Sequence, residues 1–101
     1  MDPFKEITTF VNVAQRGSLS AAARHEGLAP AMIGRRLDSL ETRLGVKLIQ
    51  RTTRRLTLTP EGIAFLEDCQ RILADLARQR AEADALRREL ARVKTVLTEK
   101  R

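Results

Sequence analysis

Residues 18–45 read SLSAAARHEGLAPAMIGRRLDSLETRLG, and the punctuation within them decides the fold. Ser18 stands where a helix needs an N-cap, ahead of LSAAARHE, whose alanine run permits close approach of a neighbour. Gly27 ends that helix. Leu28-Ala29 is too short for a strand, and Pro30 suits the first position of another helix because its missing amide hydrogen costs nothing there. From Pro30 onward Ile33, Leu37, Leu40 and Leu44 recur at steps of four, three and four, one inward-facing stripe. Arg35, Arg36, Ser39 and Arg43 fall mostly on other faces. Helix, three-residue turn with glycine, helix is the spacing of a helix-turn-helix.

Upstream, Phe4, Ile7, Phe10, Val11 and Ala14 place an apolar stripe on a first helix, opened by Asp2-Pro3 and closed by Gly17. Downstream of Gly45, VKLIQRTTRRLTLT carries β-branched residues and the alternation Leu56, Thr57, Leu58, Thr59, which reads as a hairpin with a basic tip. Its turn lacks Gly or Asn, so a connection wider than the tight two-residue kind, with a mobile tip, is expected. Thr59-Pro60-Glu61 then opens a helix with a cap, a first-position proline and an early acid. No Pro or Gly interrupts residues 63–101, so one helix runs nearly to the end with a fraying terminus. The expected fold class is mostly α: three helices, a two-stranded wing and a long last helix, divided into domains at 1–58 and 59–101.

The composition agrees. Phe4, Phe10 and Phe65 are the only aromatic residues among 101, so a core must be built from Leu, Ile, Val and Ala, which suits helix packing. The net charge is +6, and it is localised. From Arg35 to Arg55 seven basic residues face two acidic ones, a net of +5, whereas residues 1–34 balance to zero. That concentration favours an anionic partner over a merely solvated surface. A single cysteine, Cys69, excludes an intrachain disulfide framework and fits a reducing cytosol. No apolar run approaches the roughly 20 residues of a membrane helix, and no signal peptide pattern opens the chain. One His, one Cys and scattered acids make no metal cluster, nucleophile–base pair or phosphate-cradling loop, so neither an enzyme nor a cofactor is expected.

FVNVAQRGSLSAAA followed by PAMIGRRLDSLETRLGVKLIQRTTRRLTLTPEG resembles the N-terminal DNA-binding domain of LysR-type transcriptional regulators, over residues 2 to about 88. The resemblance implies a winged helix-turn-helix that binds double-stranded DNA as a homodimer, with Pro30–Leu44 as recognition helix and the hairpin around Thr52–Arg55 as wing. Ala31 is then placed to meet a thymine methyl, Arg35 to fork onto guanine O6 and N7 or a phosphate, and Arg36 to meet phosphate. Gly34 removes bulk so that the backbone can come close. Arg54, with Thr53 beside it, occupies the family's wing position at the minor groove, and Arg51 and Arg55 neutralise phosphates. Ser18 and Ser20 are candidates to hold a phosphate with nearby amide hydrogens, although capping alone accounts for Ser18. Departures from the family pattern matter too. Ala29-Pro30 replaces a common Ser-Gln, removing a side-chain cap and a polar base reader, so direct readout is thinner and DNA shape carries more of the specificity. Glu26 stands where a buried Leu is usual, and either reaches solvent or finds a basic partner. Family members continue into a ligand-sensing domain; these 101 residues stop before one, so no effector site is expected within them.

Gly62, Phe65, Cys69, Ile72, Leu76, Gln79, Ala83, Leu86, Leu90, Val93 and Leu97 alternate steps of three and four, the seam of a coiled coil. Phe65, Leu66, Cys69, Ile72, Leu73, Leu76, Ala83, Leu86 and Leu90 are the expected dimerisation residues. With Leu76 and Leu90 at a positions, Asp75, Glu82 and Glu89 fall at g and Arg80, Arg87 and Lys94 at e, which complement one another in a parallel pair. The resemblance instead implies antiparallel pairing, and apolar Leu66 and Leu73 permit the wider interface this needs. The expected function is a LysR-type, cytoplasmic, homodimeric transcriptional regulator. The competing reading is an interaction protein whose coiled coil is the active part and whose helix-turn-helix is a basic, non-specific scaffold.

Overall fold

A computed structural model of the chain describes residues 2–52 and 55–99. The order is α1 (Pro3–Arg16), α2 (Leu19–Glu26), α3 (Pro30–Leu44), β1 (Ile49–Arg51), β2 (Leu56–Leu58) and α4 (Pro60–Glu99). The fold is thus mostly helical, with a two-stranded antiparallel wing. The chain's contacts divide it into two units, Met1–Gln70 and Arg71–Arg101. The first unit takes in the opening turns of α4, whereas the sequence suggested a boundary after Leu58.

Local caps set the helix ends. Phe4 N–H donates to Asp2 Oδ1 at 2.9 Å and Ala21 N–H donates to Ser18 Oγ at 3.1 Å. Gly27 closes α2 at φ 69°, a conformation that a Cβ would disfavour, and its N–H donates to Ala23 O. As the substitution of Ala29 implied, α3 starts without a side-chain cap.

The three short helices pack on one another, with Phe10, Val13, Ala22, Ala23, Ile33, Leu37, Leu40, Leu48 and Ile49 forming the core. Two expected inward residues turn out exposed: Phe4 in the first turn of α1, and Leu44 at the end of α3, where few neighbours remain. The buried side of α1 is rotated toward Glu6, Thr9 and Val13, so two polar residues lie under the stripe. Both are satisfied across helices. Ser39 Oγ donates to Glu6 Oε2 at 2.6 Å, and Arg43 Nη1 lies 3.0 Å from Glu6 Oε1. Thr9 Oγ1 donates to Glu26 Oε1 at 2.8 Å. Such buried polar contacts fix how α1, α2 and α3 sit, because breaking one strands the partner away from water.

The wing pairs Ile49 with Leu58, Gln50 with Thr57 and Arg51 with Leu56. The expected wide connection falls on Thr53 and Arg54, outside the described residues, and the residues flanking them bond to each other. Thr52 N–H donates to Arg55 O at 2.9 Å, and Arg55 N–H donates to Thr52 Oγ1 at 3.0 Å. The Thr52 hydroxyl thus adds a side-chain bond to the backbone bond between these two flanking residues. The expected mobile tip, Thr53 and Arg54, lies outside the described residues. Glu41 steadies the approach to the wing, its Oε2 accepting from the N–H groups of Leu48 and Ile49 at 2.7 and 3.1 Å.

Thr59 caps α4 and joins it to the wing. Its Oγ1 accepts from Gly62 N–H at 2.9 Å and donates to Lys47 O at 2.6 Å. A Cβ on Gly62 would collide with the Leu48 carbonyl, so α4 meets backbone directly there. Cys69, expected on a partner-facing seam, is 1% exposed and belongs to this unit's own core, and the half-buried Phe65 sets its ring 5.5 Å from that of Phe10. Heptad spacing reports one face of a helix but not what that face meets. Within the second unit, Ile72, Leu86 and Leu90 are exposed, and so is Ala83; Leu73 and Leu76 are half-buried. Among the described residues no helix is long and apolar enough to cross a membrane.

Candidate nucleic-acid interface

The first half of α3 is presented to solvent. Pro30, Ala31 and Arg35 are exposed, and Gly34 is half-buried. Their exposure follows from the stripe: with Ile33, Leu37 and Leu40 buried, Pro30, Ala31 and Arg35 lie on the opposite side of the helix.

Arg36 departs from expectation. Its Nη1 donates to Glu26 Oε1 at 3.1 Å and to Thr9 Oγ1 at 3.2 Å, and the side chain is 15% exposed. Glu26 therefore finds a basic partner rather than solvent, and Arg36 joins α3 to α1 and α2 instead of standing free beside a phosphate. Adjacent positions on a helix differ by about 100° in direction, which separates these two arginines: one outward, one inward.

Arg51, at the end of β1, reaches α3. Its Nη2 donates to Asp38 Oδ1 at 2.9 Å, and a Cβ built on Gly34 would lie 3.6 Å from its Nη1. The guanidinium thus lies beside the exposed start of α3, held by one carboxylate. The Asp38 contact was not foreseen; a carboxylate four residues after Gly34 on the same helix face was its available signal.

Ser18, Leu19, Ser20, Arg51, Thr52, Arg55 and Leu56 line a cleft of about 300 Å³ between the start of α2 and the wing. The structure thereby brings together two predicted groups separated by some 30 residues of sequence, the serines and the wing arginines. Ser18 Oγ is engaged as the cap of α2, as Ala21 N–H shows, while Ser20 is exposed. Cationic side chains, hydroxyls and a helix N-terminus facing one opening suit an anionic oxygen cluster. Thr53 and Arg54 lie outside the described residues. Among the described residues no group of three or more His, Cys, Asp or Glu is arranged to hold a metal ion.

Residues 4–63 match the family model for bacterial regulatory helix-turn-helix proteins of the lysR family. The chain belongs to the LysR family. A transcriptional regulator of Xanthomonas campestris pv. campestris is 48% identical over 67 residues, 66% of this chain and 20% of that protein. CrgA, a transcriptional regulator of Neisseria meningitidis, is 42% identical over 78 residues, 77% of this chain and 26% of that protein. The chain therefore spans about a fifth to a quarter of the length of these LysR-family relatives. Among solved structures, the CbnR DNA-binding domain in complex with DNA is similar at a TM-score of 0.76 and 38% identity, covering 84% of this chain and 97% of that one. The BenM domain complexed with catB site 1 DNA is similar at a TM-score of 0.78 and 26% identity, covering 83% and 92%. The fold is that of a LysR-type DNA-binding domain, a winged helix-turn-helix.

Proposed function

We propose that this chain binds double-stranded DNA sequence-specifically, as a homodimer through α4, and so serves as the DNA-reading part of a non-catalytic, cytoplasmic LysR-type transcriptional regulator. The observation that carries the reading is the convergence of Ser20, Arg51, Thr52 and Arg55 on one cleft beside the exposed start of α3. Two similar domains solved with DNA support it. In this reading α3 enters the major groove, with Ala31 and Arg35 toward base edges and Gly34 admitting close backbone approach. The cleft takes a backbone phosphate through Arg51, Arg55, Ser20 and the amides that follow Ser18. Arg54 serves the minor groove and Thr53 the wing's backbone contact, as the resemblance implies. Arg36 positions α3 against α2 rather than touching DNA.

A band-shift titration over a series of salt concentrations tests this. The logarithm of the binding constant should fall linearly with the logarithm of salt concentration, at a slope of about −0.9 per phosphate neutralised, and some sequences from a random pool should outcompete the rest. Salt-sensitive binding without sequence preference would leave only a basic scaffold, and absence of binding would remove the reading altogether.

A further inference from the structure

We propose that Asp38 is a specificity-determining residue that acts through Arg51: its carboxylate fixes the guanidinium, so that Arg51 meets a phosphate only in the register that α3 sets. This deepens the DNA-binding reading above and rests on it.

Between Arg35 and Arg55 the acids are Asp38 and Glu41, and they have different surroundings. Glu41 is engaged in structure, its Oε2 accepting from the Leu48 and Ile49 N–H groups. Asp38 stays on the exposed face of α3, its side chain 67% exposed, and accepts from Arg51 Nη2 at 2.9 Å. A carboxylate on a helix offered to a polyanion repels phosphates, and an ion pair this exposed adds little to stability. Neither the fold nor raw affinity accounts for it.

The placement of Arg51 does. Gly34 and Asp38 lie four residues apart on the same face of α3, and the guanidinium lies against both: Nη2 holds Asp38, while Nη1 would be 3.6 Å from a Cβ at position 34. The same side chain, 33% exposed, lines the cleft with Ser18, Ser20, Thr52 and Arg55. One guanidinium therefore connects the exposed start of α3 to the cleft proposed for a phosphate. A guanidinium carries its N–H donors in a rigid planar fork, so a bond from one of them to Asp38 fixes the plane from which the others project. An unheld arginine, on its flexible stem, finds a phosphate on any duplex in any register and raises non-specific binding. Held by Asp38, it gains a phosphate only when the seating of α3 on the bases brings one into the cleft. Phosphate contact is thereby made conditional on base fit, and the carboxylate lowers affinity for every other site.

Band shifts of the full chain test the inference by comparing the best duplex selected from a random pool with an unselected duplex of the same length. The proteins compared are the wild type, Asp38→Asn, Arg51→Ala and the double variant. Asp38→Asn should tighten binding to the unselected duplex, steepen its logarithmic salt slope by up to about 0.9, and reduce the selected-to-unselected affinity ratio about three- to fivefold. In the Arg51→Ala background the same substitution should leave that ratio unchanged. A ratio that Asp38→Asn leaves intact overturns the inference; a purely structural Asp38 gives this result, weakening both duplexes alike. A fall of equal size in both backgrounds also overturns it, because Asp38 then acts on DNA without Arg51. A wild type with no preference among sequences overturns the sequence-specific reading along with this inference, whereas preference that survives Asp38→Asn overturns this inference alone.

Discussion

Position 34 is a half-buried glycine in the first half of α3, the helix proposed to enter the major groove. A Cβ there has room, because its nearest neighbour outside the helix's own backbone, Arg51 Nη1, would be 3.6 Å away. Gly34→Ala should therefore raise the unfolding free energy by about 1 kcal/mol through helix propensity, read from urea midpoints. The same variant should weaken DNA binding; unchanged affinity would show that close backbone approach is not its purpose. Arg35→Ala should cost about 1–3 kcal/mol and relax preference at one base pair, measured against a panel of single-base operator variants. A loss uniform across the panel assigns Arg35 to a phosphate instead. The neighbouring arginines mark the limit of what sequence conveys at this scale. Both looked like surface charge, and what separates them is Glu26, ten residues earlier and on another helix.

Among elements, helix starts and stops were legible because they are local: Asp2, Ser18, Pro30, Thr59 and the closing glycines act within a turn of where they stand. Contacts between elements were less legible. Glu26→Ala should cost about 3 kcal/mol by stranding the half-buried Arg36 guanidinium, whereas Glu26→Leu/Arg36→Met should recover most of that loss in chemical denaturation. Gly62→Ala should destabilise by about 1–3 kcal/mol or more, since the obstacle is the Leu48 carbonyl rather than a side chain that can swing away. Nothing in the sequence marks Gly62 as a point of backbone contact; its place in a helix's first turn is compatible with many roles.

Over the whole molecule, the apolar period of α4 was evident from sequence, but the change in what it faces was not. The same repeat enters the chain's own core at Cys69 and is exposed by Leu86. Cys69 gives that burial a measurable signature, because desolvation, with the Asp68 charge adding to it, pushes its thiol from 9.0 up to about 11. The folded chain thus keeps a proton that the unfolded chain releases near pH 9. Its stabilising contribution is complete below that pH and is lost as pH rises toward 11, by about 1.4 kcal/mol per unit. Urea midpoints for wild type and Cys69→Ala, compared from pH 8 to 11, should converge as pH rises. The Glu26–Arg36 pair carries a different consequence, for transplantation. A graft that moved α3 alone onto a scaffold with an apolar residue at position 26 would bury a cation opposite a methyl group, and because Arg36 also bonds Thr9 of α1, the three helices α1, α2 and α3 form the smallest exchangeable cassette. Chimeric regulators built from this domain should be cut at Gly45 rather than at Gly17 or inside the turn at Gly27.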